Sequence, residues 1–229
     1  MPIPLPPLVF FDFDSTLVSK ESFDTVLALA LQNHPDAEKY QREIENITNL
    51  GMSGALDFRE SLLQRFSLAP LPKALFETVG ENLTAYITEG MDEVIAFLQA
   101  QKAEIFILSG GFLPCLIPVA KKIGIPENHV FGNTFSVNTE GFATEIDLQN
   151  PLSTGAGKGE LIAQIQKGYP HHKTILVGDG ANDLNAYTTK KVDIFCGFGG
   201  NVFRKTIFDQ SPHYAHNVGE LLSFFSSLL

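Results

Sequence analysis

Cysteine is scarce in this sequence: Cys115 and Cys196 stand far apart and fit no metal-binding spacing. That argues against a disulfide framework and fits a reducing, cytoplasmic setting. Positive charge is also short, with 16 Lys and Arg against 26 Asp and Glu and a net charge of −10. Nucleic acids and anionic membranes call for basic patches, so neither is an expected partner. No apolar run approaches the ~20 residues that span a bilayer. Residues 1–7 lack a basic stretch and are broken by prolines, so no secretory leader is expected. Residues 221–229 are apolar but carry no Lys or Arg, which reads as a packed terminal helix rather than a membrane anchor. Internal repeats and low-complexity stretches are missing too.

What remains is an ordinary globular composition. The chain has 229 residues, 44% of them hydrophobic and 18% charged, enough for one sizeable domain with a smaller insert. Apolar residues recur at helical spacing over 21–33, 36–50, 56–66 and 73–87, with no convincing strand between 19 and 90. Beyond residue 91 helices alternate with short apolar strands at 104–108, 174–177 and 192–195. That alternation predicts a parallel sheet covered by helices, which the first strand at 8–13 joins. Residues 133–137 and 141–146 read as a β-hairpin. The expected fold is therefore α/β: a core of 1–18 and 91–229, with 19–90 inserted as a helical cap over the sheet's carboxyl edge.

Four segments carry chemistry. Leu8-Val-Phe-Phe-Asp-Phe-Asp-Ser-Thr-Leu17 delivers Asp12 and Asp14 two apart, which on a strand means the same face. Two such acids repel unless a cation or proton lies between them. Ser109-Gly110-Gly111 follows a strand and is expected to open a helix, where amides and a hydroxyl suit phosphate oxygens. Thr154-Gly-Ala-Gly-Lys158-Gly159 imitates a P-loop but fails it: Leu152 stands where the first Gly belongs, and Gly159 where Ser or Thr belongs. Lys158 works better as a point charge for a phosphate and a carboxylate. Gly178-Asp179-Gly180-Ala-Asn182-Asp183 supplies a hard-cation ligand, with a second carboxylate one helical turn on.

In this order the four segments resemble the haloacid dehalogenase superfamily of phosphohydrolases and, within it, the phosphoserine phosphatase family over nearly the whole chain. The resemblance implies a Rossmann-like parallel core with a helical (C1-type) cap and a small-molecule substrate. Segment 51–65 looks like the family's substrate-reading stretch, and 196–204 is similar to its tail segment. Carried over, Glu21 meets the substrate ammonium and Arg65 its carboxylate, with Met52 and Phe58 walling the pocket. Ser53 stands where many members have Gly, and Asn182 where some have Thr; both are candidate substrate contacts. The resemblance further implies Asp12 as nucleophile and Asp14 as acid and base. Lys158, Ser109, Gly110 and Gly111 would hold phosphate oxygens. Mg²⁺ would lie on the Asp12 carboxylate, the Asp14 carbonyl and Asp179, with Asp183 orienting Lys158 or a metal-bound water.

The expected reaction is Mg²⁺-dependent hydrolysis of O-phospho-L-serine through an aspartyl-phosphate, the last step of serine biosynthesis. A phosphotransferase acting on an acceptor alcohol such as homoserine keeps every motif residue. So does a phosphatase for another small phosphomonoester. A non-catalytic binding protein would leave Asp12, Asp14, Lys158 and Asp179 unexplained. A homodimer is the one assembly entertained.

Overall fold

The structure is a computed structural model describing residues 5–229. The leaderless reading of residues 1–7 falls mainly on 1–4, outside the described residues. Six strands form one sheet: β1 (Leu8–Phe11), β3 (Glu104–Phe112), β4 (Val130–Asn133), β7 (Thr174–Gly178), β8 (Ile194–Phe198) and β9 (His213–Ala215). Their order is β4-β3-β1-β7-β8-β9, and every pairing is parallel. The chain runs outward from β1 to one side and then returns to β7 on the other. The strand order reverses at β1, which makes its carboxyl end the place where such sheets bind ligands.

β1 shows why the sheet is a middle layer. All four of its side chains are buried, as a central parallel strand requires. Val9 and Phe11 join a core with α5 (Met91–Ala100), α6 (Leu113–Lys122) and α10 (Val218–Leu228). Leu8 and Phe10 face the other way, onto α7 (Gly157–Gln166), α8 (Ala181–Thr188) and α9 (Lys205–Gln210). The two-residue period of the strand thus divides one apolar run between two helical layers.

Between β1 and α5 lie α1 (Ser22–Ala30), α2 (Ala37–Ser53), α3 (Phe58–Phe66) and α4 (Lys73–Leu83). Phe23, Phe58 and Phe76 of these helices belong to the same core cluster as Phe112 at the end of β3. The Phe23 and Phe112 rings meet edge-on at 4.9 Å. The segment leaves and re-enters side by side: Ser19 N–H donates to Tyr86 O at 2.8 Å and Thr88 N–H to Leu17 O at 2.9 Å.

Several details differ from the expectations. A short strand, β2 (Leu71–Pro72), does occur within 19–90 and pairs with β6 (Phe142–Ile146) of the hairpin, whose other arm is β5 (Phe135–Val137). Two residues carry too little pattern to be read, and only the partner strand defines them. Asn133 belongs to β4 in the main sheet and not to the hairpin. The last apolar strand runs over Ile194–Phe198 because its register is set by β7. No helix among the described residues is long and apolar enough to cross a membrane.

Candidate active site

Asp12 and Asp14 lie just beyond β1, so strand alternation does not explain their convergence. The wide turn Phe13–Leu17 does, with Ser15 forced to a positive φ of 54°. Asp12 Oδ1 accepts from Phe13 N–H at 2.7 Å. Asp14 is clamped by Ser22, accepting its N–H at 2.7 Å on Oδ1 and its hydroxyl at 3.0 Å on Oδ2.

Lys158, in the first turn of α7, is buried between two carboxylates: Nζ is 2.7 Å from Asp12 Oδ1 and 2.7 Å from Asp183 Oδ1. Burial alone would lower its pKa, but Asp12 and Asp183 raise it, so it stays cationic. Asp183 Oδ2 also accepts from Gly180 N–H at 3.1 Å. Any side chain on Gly178 would collide with the Asp183 carboxylate, so glycine there is steric. Burial lifts the Asp183 carboxyl to about 7 against the opposing pull of Lys158.

Asp179 ends β7. Oδ2 accepts from Arg204 Nε at 2.9 Å, while Oδ1 is buried with no hydrogen-bond partner among the described residues. One carboxylate oxygen from each of Asp12, Asp179 and Asp183 lies within 4.8 Å of the others. An orphaned buried oxygen beside two more carboxylates is an oxygen-only donor set that suits a hard divalent cation. The triplet contains Asp183, which the sequence placed outside the metal ligands, and no carboxylate from Asp14. Burial, then the charge of Asp12, pushes Asp179 well above the usual range, a repulsion that a cation would relieve.

Ser109, Gly110 and Gly111 do not open a helix, contrary to the sequence expectation. They extend β3, whose pairing with β4 shifts between Leu108 and Phe112, and α6 begins only at Leu113. Pairing with β4 resumes at Phe112, so the strand bulges through the glycines rather than ending before them. Gly111 N–H donates to Ser109 Oγ at 2.9 Å. Asn133 Nδ2 fixes the Gly110 carbonyl at 2.8 Å. Gly110 has no room for a side chain because the Phe58 ring of α3 sits on it.

These groups line one cleft with Asp12, Asp14, Glu21, Met52, Phe58, Arg65, Ser109, Gly110, Gly111, Lys158, Asn182 and Asp183 on its walls. Its cavity volume is ≈ 40 Å³, far below the roughly 300–1,000 Å³ usual for small-molecule sites. Glu21 accepts the Ser15 hydroxyl at 2.7 Å and lies 3.8 Å from Arg204 Nη2. Asp179 lies behind the lining, held by Arg204. Ser53 is not brought in: it is exposed, and its hydroxyl donates back to Leu50 O at 3.0 Å.

Sequence reasoning gave no role to Arg204, which ties Asp179 to the Glu21 side of the cleft. It also passed over Ser22, Asp24, Thr48 and Asn133. The tail segment 196–204 contains Arg204, but only the fold shows which carboxylate it meets.

The model of the haloacid dehalogenase-like hydrolase family matches residues 9–187. Phosphoserine phosphatase of Mus musculus is 30% identical over 214 residues, covering 93% of this chain and 91% of the mouse protein. A phosphoserine phosphohydrolase-like protein from Francisella tularensis superposes with a TM-score of 0.85 at 31% identity, over 95% of this chain and 99% of that one. A phospho-aspartyl intermediate analogue of phosphoserine phosphatase superposes at 0.78 with 28% identity, over 95% and 98%. The chain belongs to the haloacid dehalogenase-like hydrolase family and is one of its phosphatases. The mouse relative, matched over nearly its full length, is a phosphoserine phosphatase.

Proposed function

We propose that the protein hydrolyses O-phospho-L-serine to L-serine and phosphate through a phosphorylated Asp12, with Mg²⁺ required. The observation that carries this reading is a single cavity lined both by a phosphate-handling set and by an amino-acid-reading pair. Asp12, Asp14, Lys158 and Ser109 form the first; Glu21 and Arg65 form the second. The names of the relatives support it.

Asp12 would attack phosphorus in line while Lys158 and the Ser109–Gly110 segment hold the remaining phosphate oxygens. Asp14 would give its proton to the leaving serine oxygen and then take one from the hydrolytic water. Burial, then the charges of Glu21 and Asp12, raises the Asp14 carboxyl well above the usual range, which suits an acid that must start protonated. Glu21 would receive the ammonium and Arg65 the carboxylate, between Met52 and Phe58. The Asp12 carboxylate, Asp14 carbonyl and Asp179 would hold Mg²⁺, which when bound polarises a phosphate oxygen and offsets the crowd of carboxylates. Asp183 would keep Lys158 aimed. Segment 19–90 would act as a cap that swings on its paired linkers, since a 40 Å³ cavity does not admit a substrate without movement. The cytoplasm is the setting we assign, and serine biosynthesis the pathway.

Phosphate release measured over small phosphomonoesters, with and without homoserine as acceptor, tests the assignment. Phosphoserine should release stoichiometric phosphate in both conditions. Phosphate retained on homoserine would instead make the protein a phosphotransferase.

Chelator should abolish turnover, Mg²⁺ should restore it, and Ca²⁺, which takes more oxygen ligands, should inhibit. Full activity in excess chelator would remove the metal from the mechanism.

Arg65 sets a substrate prediction. Phosphoethanolamine lacks only the carboxylate, and a charge-assisted hydrogen bond contributes about 1.5–3 kcal/mol. Phosphoserine should therefore be preferred by at least ~10-fold in kcat/KM, equal to ~1.4 kcal/mol. Arg65→Ala, and to a smaller degree Arg65→Lys, should erode that preference while sparing an aryl phosphate. Equal kcat/KM for both substrates in the wild type would reduce the assignment to small phosphomonoesters.

A further inference from the structure

Arg65 already has an anionic partner inside the protein. Nη1 donates to Asp24 Oδ1 at 2.8 Å and to Thr48 Oγ1 at 2.9 Å, and Nε donates to Ser61 O at 3.3 Å. Thr48 closes the ring by donating its hydroxyl to Asp24 Oδ1 at 2.8 Å. The guanidinium carbon lies 5.4 Å from the Phe23 ring centroid. A guanidinium has five N–H groups. Three are engaged, and the two on Nη2 have no hydrogen-bond partner among the described residues. Arg65 and Thr48 line the catalytic cleft, whereas Asp24 lines the neighbouring groove between α1, α2 and α4, which meets the cleft at Glu21. The ion pair is thus the wall between the two spaces, with Asp24 on the far side from the substrate.

This placement matters because phosphoserine, on the reading above, has two anionic ends. A unit positive charge attracts a phosphate dianion about twice as strongly as a carboxylate at equal distance. Lys158, which also faces the phosphate site, already has its charge opposed by two carboxylates, Asp12 and Asp183. A bare Arg65 would therefore be the strongest protein anion trap in the cleft, and the substrate could lie reversed, with phosphate on Arg65 and carboxylate by Asp12. We infer that Asp24 is a positioning residue that sets substrate polarity: it cancels the surplus charge of Arg65 and leaves only the Nη2 edge for a carboxylate. The inference rests on the phosphoserine reading and adds to it why the reader of the carboxylate does not capture the phosphate. α1, α2 and α3 each contribute one member of the Asp24–Thr48–Arg65 ring, so the selectivity is held within segment 19–90 itself.

The test is steady-state kinetics of the full chain together with titration by inorganic phosphate. Asp24→Asn keeps the shape and removes the charge. With phosphoserine, its kcat and KM should fall together by roughly 5-fold or more, with kcat/KM changing less, as non-productive binding requires. Inorganic phosphate should bind once per chain in the wild type and twice in Asp24→Asn. Asp24→Glu, which restores the charge, should return both readouts toward the wild type. A higher KM with unchanged kcat in Asp24→Asn would mean only a lost contact and would overturn the inference. So would a single phosphate on Asp24→Asn, or two on the wild type. Should Asp24→Asn fail to fold, the wild-type stoichiometry and Asp24→Glu still decide: two phosphates, or a reversed-binding pattern despite the restored charge, overturn it. If the wild type does not turn over phosphoserine, the substrate reading has failed, and the phosphate titration still judges Asp24 separately.

Discussion

Asp12→Asn is expected to reduce turnover on the order of 10⁴-fold or more, because on the proposed mechanism Asp12 alone takes the phosphoryl group in line. The substitution should leave the fold intact. An Asn side-chain oxygen can still accept from Phe13 N–H, the bond now made at 2.7 Å. Lys158 keeps Asp183, 2.7 Å away. Removing one of the buried acids Asp12, Asp14, Asp179 and Asp183 also relieves repulsion, so in chelator the melting temperature should hold or rise. Acid-quenched wild-type protein digested and weighed by mass spectrometry should carry phosphate on Asp12, and Asp12→Asn should carry none. A label on Ser109 would sink the mechanism, since that hydroxyl is assigned here only to bind a phosphate oxygen.

The arrangement of charge explains why so acidic a site can receive a dianion. Each buried carboxylate except Asp14 faces a cation or the space for one. Asp12 and Asp183 share Lys158, and Asp179 gives one oxygen to Arg204 and leaves the other unpaired. Asp14 instead is held by the two Ser22 donors. Burial makes unpaired negative charge costly, so each acid is either balanced or inclined to keep its proton. On the proposed mechanism, the division of labour between nucleophile and acid would then follow from neighbours rather than from residue type.

Much of this was legible in the sequence, for identifiable reasons. β1, the helical run of 19–90 and the alternation after 91 rest on periodicity, which burial enforces: Leu8 to Phe11 must face two layers, and they do. The acids at strand ends were legible because the motifs are local. What could not be read depends on distant partners. β2 exists only because Leu71 and Pro72 meet Ala143 and Phe142. The Ser109–Gly111 segment looked like a helix start, but pairing with β4 resumes at Phe112 and carries the strand past the glycines. Asp24 and Arg204 carry no motif signal of their own, and only the fold sets them against Arg65 and Asp179. Ser53 followed Met52 in the motif, yet the last turn of α2 directs it to solvent.

Asp14→Asn should separate the two half-reactions. Loss of a general acid costs about 10²–10⁴-fold where the leaving group needs a proton, and much less where it does not. Serine is a poor leaving group, so phosphoserine cleavage should fall by that amount with no burst. An aryl phosphate leaves unaided, so Asp12 should still be phosphorylated rapidly. Without Asp14 as base the phospho-Asp12 should then hydrolyse slowly. Stopped-flow measurement should show a burst of about one aryl alcohol per chain followed by slow turnover. The pH dependence has a definite sign. The Asp14 carboxyl is raised by burial, Glu21 and Asp12, so its acid form persists above the ordinary aspartate range and is lost as pH rises through the raised value. Phosphoserine cleavage in single-turnover experiments should therefore decline on the alkaline side, and aryl phosphate cleavage should not. A wild-type aryl phosphate profile with the same alkaline limb, or an Asp14→Asn variant that loses both substrates equally without a burst, would assign the proton to another group.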